Sequence, residues 1–225
     1  MTFERPKPHA APLAPVRGTR QRQRTRNALL TAGGQMFATR SPDAVTIDEI
    51  VEAADVGKGS FYNHFTDKEE FADAIFELIQ GDCEFHIFSA NRGVRSAPMR
   101  IVRALCVVVR YAIDHPERIQ ALMSLGDKRA VLAAPLNAGA VADVREGLDQ
   151  GALAHVDLEG GVMVTIGLVR QAVRQATAPK VTTPPSVIAT SLGAAMLRAL
   201  GVEPGLALQY AETAVADILK GKNER

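Results

Sequence analysis

The stretch that decides the fold runs from residue 46 to residue 68 and reads TIDEIVEAADVGKGSFYNHFTDK. Its first half predicts a short helix, because four apolar residues are spaced i, i+3, i+4 and i+7 and therefore share one face. These residues are Ile47, Ile50, Val51 and Ala54. Thr46 and Glu49 have the spacing of a capping box, in which each side chain satisfies a backbone amide of the other residue. The pattern thus predicts that this helix begins directly after Thr46.

The second half of the stretch predicts a tight turn followed by another helix. Asp55 lies where the chain has to turn, and Asp tolerates a left-handed backbone better than most residues. Residues 57–64 form about two turns of helix, with Phe61 and Phe65 facing the neighbouring helices. The polar side chains between them are left on the outer face, as in the recognition helix of a helix-turn-helix.

The flanking segments predict the other helices of a small domain. Upstream, an apolar stripe at helical spacing contains Leu29, Ala32, Gly33, Met36 and Phe37. Gly33 and Gly34 each cost a helix about 1 kcal/mol relative to Ala, which predicts close packing against another helix. Downstream, either Asp67 with Glu70 or Thr66 with Glu69 is spaced to cap a long helix.

The stretch from Arg26 to Glu70, about a fifth of the chain, resembles the headpiece of the TetR family of one-component transcriptional regulators. The matching positions occur in the family's order and are Phe37, Thr46, Ala54-Asp55-Val56, Tyr62-Asn63-His64-Phe65 and Lys68. Asp55 replaces a usual Gly, and Ser41-Pro42 replaces a usual Gly-aromatic pair. Both departures lie in connections between helices. The resemblance implies a helix-turn-helix that binds double-stranded DNA.

By the same resemblance, Tyr62, His64 and Lys68 are expected to contact phosphates, and Thr46 is expected to contact one from a helix end. The positions expected to face the major groove are Lys58, Gly59, Ser60 and Asn63. Lys58 and Asn63 have two alternatives, a base contact that specifies sequence or a backbone contact that only positions the protein. Tyr62 is suited equally to closing the small core with its ring and to pointing its hydroxyl outward.

Basic residues are concentrated at the N-terminus, although the whole chain has a net charge of only +1. Residues 1–26 contain seven Lys or Arg and one Glu. Arg20, Arg22 and Arg24 are therefore candidate phosphate contacts, and the alternative is a solvated tail. The first 15 residues are rich in Pro and Ala, which is typical of disorder.

Beyond the headpiece, the absence of strand-like alternation predicts an all-α protein with two domains. We expect a disordered arm over residues 1–19, a helix-turn-helix domain over 20–66, and a larger helical effector-binding and dimerisation domain over 67–225. Residues 160–169 contain no charge, and residues 186–200 are rich in small side chains. Each pattern fits either a core helix or a subunit interface. The resemblance favours a homodimer built from residues 158–177 and 184–200, as a palindromic operator requires.

The resemblance also implies an effector pocket in the second domain. A lining of apolar residues with a few polar groups is typical of ligand cavities. The candidate residues are Cys83, Ile87, Cys106, Arg110, Tyr111, Met123 and Arg170, each of which also suits plain core or surface. Such a lining predicts an amphipathic or apolar effector, and an anionic one if Arg110 or Arg170 faces inward.

Other classes of function have little support in the sequence. Cys83 and Cys106 are too few for a Cys-rich zinc site, and no nucleophile or cofactor motif is present. Early prolines and charges interrupt any signal peptide, and Val181 to Leu197 is a poor membrane span, so we expect a cytoplasmic protein without a cofactor. The hypotheses are an effector-released repressor, a regulator that activates or has no ligand, and an enzyme on a helical scaffold. The headpiece argues against the enzyme, whereas only promoter geometry separates repressor from activator.

Overall fold

The computed structural model describes residues 17–126, 137–178 and 182–220, with side chains from residue 20 onward. Within these residues the chain is all-α, as the sequence predicts, and no strand is present. The N-terminal helices are α1 (Arg17–Thr39), α2 (Ile47–Ala53), α3 (Lys58–Tyr62) and α4 (Lys68–Ala90). The later helices are α5 (Ala97–Asp114), α6 (Pro116–Gly126), α7 (Ala138–Asp149), α8 (Leu158–Thr177), α9 (Pro185–Ala199) and α10 (Pro204–Val215).

Local signals set the ends of the N-terminal helices. Thr46 and Glu49 form the predicted capping box at the start of α2. Asp67 caps α4 by accepting a hydrogen bond from the amide of Glu70 at 2.8 Å, which decides between the two capping pairs that the sequence allows. Asp55 adopts a φ of 52°, so the predicted left-handed turn residue separates α2 from α3.

The helix-turn-helix shares one hydrophobic cluster with the start of the second domain. Buried residues of α1, α2 and α3 join this cluster with Ile75 and Phe76 of α4, Tyr111 of α5 and Ile119 of α6. Helix α1 packs against α2, α3, α4 and α6. The expected boundary between residues 66 and 67 therefore coincides with the start of α4, but the core continues across it. The expected arm ends differently, because α1 begins at Arg17, and residues 1–16 lie outside the described residues.

Helix α5 is the central element of the second domain, where it packs against α4 and against α6 to α10. The second hydrophobic cluster surrounds its buried residues Val102, Leu105 and Val109. Gly193 of α9 faces α5, since a Cβ there would lie 2.8 Å from a methyl group of Val102. The small residues of α9 thus allow close packing within one chain, and only its opposite face is left for a partner.

Candidate DNA-binding surface and internal cavity

Aromatic packing holds the short helix α3 in place. The Phe61 side chain is fully buried, and its ring centroid lies 5.5 Å from that of Phe65 and 5.2 Å from that of Phe71. Phe37 of α1 packs edge-on against Phe71 at 6.1 Å. Since these rings fix the inner side of α3 against α1 and α4, the outer side of α3 is presented to solvent in a defined orientation.

The outer side of α3 contains the residues that the sequence predicts to face DNA. Lys58, Gly59, Tyr62 and Asn63 are exposed, and Ser60 is half-buried. Tyr62 is 53% exposed, so it does not close the core, although its ring contacts Phe61 edge-on at 5.5 Å. A Cβ added at Gly59 would meet no atom within 4 Å. The fold itself therefore does not require a glycine at position 59.

Lys58 is paired with a carboxylate of the neighbouring helix. Its Nζ lies 2.7 Å from Oδ1 of Asp48 in the first turn of α2. The hydrogen bond and the charge of Asp48 raise the pKa of Lys58 above its ordinary value. The sequence reasoning did not identify Asp48, and the signal available was an acidic residue ten positions before Lys58 in the same motif.

The arginines at the start of α1 lie beside α3. Arg22 donates a hydrogen bond from Nη2 to the carbonyl of Asn63 at 3.2 Å. The Arg26 guanidinium lies 5.3 Å from the ring centroid of Phe65, a cation–π distance. Arg20 and Arg24 are exposed. Burial, followed by the charges of Arg22 and Arg26, lowers the pKa of the half-buried His64. The basic start of α1 and the end of α3 thus form one positively charged surface.

Thr46 and Lys68 lie at the edge of this surface and have partners within the chain. The Thr46 hydroxyl donates to Oε2 of Glu49 at 2.8 Å, and Lys68 donates from Nζ to the Val45 carbonyl at 3.1 Å. Arg40 pairs with Glu49 at 2.7 Å, and its hydrogen bond is the main cause that lowers the pKa of Glu49 to about 2. For either predicted residue to contact a phosphate, its side chain has to exchange or share these partners.

The second domain contains a partly open cavity of about 740 Å³ between helices α4 to α8. Its lining is mainly apolar, and includes Phe76 of α4, Ile101 of α5, Leu122 of α6 and Val169 of α8. A volume of this size falls within the range of small-molecule binding sites. The cavity is thus large enough for a ligand of drug-like size.

Four of the seven predicted effector residues line this cavity, namely Cys83, Ile87, Met123 and Arg170. The other three do not line it. Cys106 is fully buried in the cluster around α5. Arg110 donates to the carbonyl of Leu219, which lies beyond the end of α10, at 3.1 Å, and the Tyr111 hydroxyl donates to Asp82 at 2.9 Å. All three lie on α5, whose cavity-facing side is instead formed by residues such as Ile101, Ala104 and Val108.

The polar part of the lining includes residues that the sequence did not single out. Arg100 of α5 donates to Asp143 and Glu146 of α7, both at 2.6 Å, and lines the cavity together with Asp143. Burial raises the pKa of Asp143, while Arg100 opposes that shift. Gln80 donates to Glu84 at 2.7 Å. The charges of Arg100 and Asp143 and the hydrogen-bond donors of Arg100 and Gln80 are therefore largely paired within the chain.

Neither a metal nor a membrane site is evident in the described part of the chain. No group of three or more potential ligands from His, Cys, Asp and Glu has a geometry that would hold a metal ion there. Burial raises the pKa of Cys83 and of Cys106 to about 12, which keeps both thiols protonated. None of the described helices is both long enough and apolar enough to cross a membrane.

The described residues thus combine a helix-turn-helix with a larger helical domain that contains a cavity and shares its core. The family described as bacterial regulatory proteins, tetR family, matches residues 29–75, from the middle of α1 into α4. Residues 29–75 therefore carry the helix-turn-helix domain of this family.

Among curated proteins, the chain is similar to the HTH-type transcriptional repressor DhaR of Mycobacterium sp. (strain GP1). The two are 34% identical over 89 residues, which cover 40% of this chain and 45% of DhaR. The HTH-type transcriptional repressor KstR2 of Mycobacterium tuberculosis is 32% identical over 93 residues, 40% of this chain and 44% of KstR2. The chain thus spans less than half the length of these curated relatives.

Solved structures extend the likeness to the second domain. The chain is similar to RolR in complex with its ligand resorcinol, with a TM-score of 0.56 and 26% identity. That match covers 86% of this chain and 95% of RolR. A gamma-butyrolactone receptor described as ArpA-like has a TM-score of 0.65 at 21% identity, covering 88% of this chain and 98% of the receptor, which shows a shared fold.

Proposed function

We propose that the chain is a homodimeric, cytoplasmic transcriptional repressor that binds a palindromic operator and is released from it by a small molecule. The observation that carries the proposal is the outer side of α3, which is exposed, polar and held by a rigid aromatic core. A surface of this kind is what a recognition helix presents to the major groove. The repressor names of DhaR and KstR2 support the same direction of regulation.

In the proposed complex, α3 enters the major groove and the start of α1 follows the phosphate backbone. Lys58, Gly59, Ser60 and Asn63 then face bases or the groove wall. Tyr62, His64, Lys68 and Thr46 reach phosphates, together with Arg20, Arg22 and Arg24. Phosphate contacts of this kind release counterions, so operator affinity is expected to fall steeply with salt.

The proposed dimer uses the outer faces of α8 and α9. Met163 of α8 is 55% exposed and Val187 of α9 is 50% exposed, although each belongs to a largely apolar helix. Gly167 and Ser191 are also exposed, one turn further along each helix. Packing these faces against a second copy would bury them in a four-helix bundle. Two copies of α3 would then address half-sites about 34–36 Å apart.

The proposed effector is a small amphipathic or apolar molecule in the cavity between α4 and α8. Apolar residues dominate the lining, and Arg100 is already neutralised by Asp143 and Glu146. Arg170, the inward-facing arginine that would favour an anion, also has an interaction within the chain. The structure of RolR with resorcinol supports a ligand for this fold. An uncharged effector with one or two hydrogen-bonding groups suits this lining better than a strongly anionic one.

Helix α6 connects the cavity to the helix-turn-helix. Ile119, Leu122 and Met123 of α6 line the cavity, while the helix as a whole packs against α1. An effector that favours one position of α6 therefore also favours one position of α1 and of the helix-turn-helix. Preferential binding to the conformation with the wrong half-site spacing would shift the population away from DNA.

The proposal is tested by footprinting the DNA that flanks the coding region of this protein. We expect protection of a palindrome with two chains per site, measured by sedimentation of the complex. A screen of uncharged amphipathic compounds should then yield one that releases the protein from that site. Protection of a site by a single chain would contradict the dimer, and release only by anionic compounds would contradict the proposed effector class.

A further inference from the structure

Asp48 places a negative charge on the surface that is proposed to meet DNA. Its carboxylate lies in the first turn of α2 and bonds Lys58 at the start of α3 at 2.7 Å. The side chain of Asp48 is 69% exposed and that of Lys58 is 55% exposed. Every other residue proposed to contact DNA is cationic or neutral. A carboxylate at this position repels phosphates, so its presence calls for a physical reason.

Stability does not provide that reason. An ion pair between side chains this exposed contributes little to folding, because solvent screens the attraction. Helix α2 already begins with the capping box of Thr46 and Glu49, which satisfies its first amides and places a carboxylate at its positive end. We therefore expect Asp48 to determine which groups of the DNA Lys58 binds.

We infer that Asp48 is a positioning residue that restrains Lys58 and thereby lowers binding to non-operator DNA, an inference that rests on the proposed function. A free lysine pairs with any phosphate and strengthens binding to every sequence equally. Paired with Asp48, Lys58 forms a neutral unit that gains little from a phosphate. Its ammonium group has three donors, so two remain for acceptors at a base edge. Asp48 thus favours a base contact over a phosphate contact.

The test measures binding to a random-sequence duplex, because this experiment is possible before the operator is identified. Asp48→Asn keeps the shape of the side chain but removes its charge, and Asp48→Ser serves as a second variant. We expect Asp48→Asn to bind random DNA several-fold more tightly, with a salt slope steeper by about 0.9, the value of one additional phosphate contact. The gain should disappear in the double variant Asp48→Asn with Lys58→Ala.

Glu52→Gln is the matched control, because it removes the same charge from the exposed side of α2 one turn later. Any gain from Glu52→Gln should persist when Lys58 is replaced by Ala, since it acts through the general field rather than through Lys58. On an operator selected from a random library, Asp48→Asn should lower the ratio of specific to non-specific affinity, whereas Glu52→Gln should change this ratio less.

The outcomes separate the inference from the proposed function. A wild-type protein that selects a sequence, combined with Asp48 variants that bind random DNA like the wild type, overturns the role of Asp48 alone. The same holds if the gain of Asp48→Asn survives in the Lys58→Ala background. A wild-type protein that selects no sequence overturns the proposed function, and with it any role for Asp48 in specificity.

Discussion

At the scale of single residues, the two adjacent glycines of α1 have different surroundings. A Cβ at Gly33 would lie 2.4 Å from the ring of Phe71 and 2.8 Å from Ile75. At Gly34 the nearest atom would be 4.0 Å away, an ordinary contact distance. The close packing predicted for this pair is thus provided by Gly33, while Gly34 is tolerated at an ordinary helix position.

This difference predicts opposite effects of two neighbouring substitutions. Gly33→Ala should lower the free energy of unfolding by about 1–3 kcal/mol, because the methyl group forces α1 away from α4. Gly34→Ala should leave it unchanged or raise it by up to about 1 kcal/mol, because Ala is the better helix former. Urea unfolding of both variants measures the effect, and equal losses of stability would contradict the packing argument.

Gly59 allows folding and DNA binding to be separated. Its Cβ position is open in the free protein, so Gly59→Ala should keep or slightly raise the thermal midpoint. Operator affinity should fall at least about tenfold, or 1.4 kcal/mol, if the α3 backbone approaches DNA closely there. Gly81→Ala on α4, also at an open position, is the control and should bind DNA normally. Unchanged operator binding by Gly59→Ala would place α3 farther from the groove.

Among the helices, Asp82 connects α4, α5 and α6 through hydrogen bonds. From α4, its Oδ2 accepts hydrogen bonds from the Tyr111 hydroxyl of α5 at 2.9 Å and from Arg118 of α6 at 2.7 Å. Tyr111 is only 3% exposed, and Asp82 is the acceptor for its hydroxyl, which also has a hydrogen bond with Arg118. Helices α4 and α6 both carry cavity residues and both pack against α1. The hydrogen bonds of Asp82 therefore lie between the cavity and the helix-turn-helix.

Removing the Asp82 carboxylate should destabilise the contact between α4, α5 and α6. Asp82→Ala leaves the Tyr111 hydroxyl without its acceptor, and we expect a loss of about 1–3 kcal/mol in the free energy of unfolding. Tyr111→Phe should cost clearly less in the Asp82→Ala background than in the wild type, because the hydroxyl then has only its hydrogen bond with Arg118 left to lose. A double-mutant cycle measured by urea unfolding gives the coupling energy between Asp82 and Tyr111. If the two losses in the free energy of unfolding are additive, this hydrogen bond contributes nothing to stability.

The same elements show what sequence reasoning reached and what it missed. The ends of α2 and α4 were predictable because caps such as Thr46 with Glu49 are local and lie three residues apart. The left-handed Asp55 was predictable for the same reason. The polar lining was not, since Arg100 and Asp143 are 43 residues apart and meet only once α5 packs on α7. The placement of Tyr111 away from this cavity was not predictable either, because the side of α5 that faces the cavity depends on that packing.

At the scale of the whole molecule, the dimer face is the feature most open to direct test. Met163→Glu places a charge on the exposed side of α8, and two-fold symmetry would repeat it in a buried interface. The variant should shift the protein to monomers in analytical ultracentrifugation. Leu78→Glu, at 56% exposure on α4, is matched to Met163 at 55% and should remain a dimer. A dimeric Met163→Glu variant would place the subunit interface elsewhere.

A competition titration shows directly whether the helix-turn-helix binds DNA in a sequence-specific manner. Purified protein is bound to labelled DNA from beside its coding region, and unlabelled operator or a scrambled duplex of equal length is added at two salt concentrations. We expect the operator to compete at least about a thousandfold better than the scrambled DNA, and we expect affinity to fall with salt for both. If scrambled DNA competes as well as DNA from beside the coding region, and as well as sites selected from a random library, at both salt concentrations, the helix-turn-helix does not recognise a specific sequence.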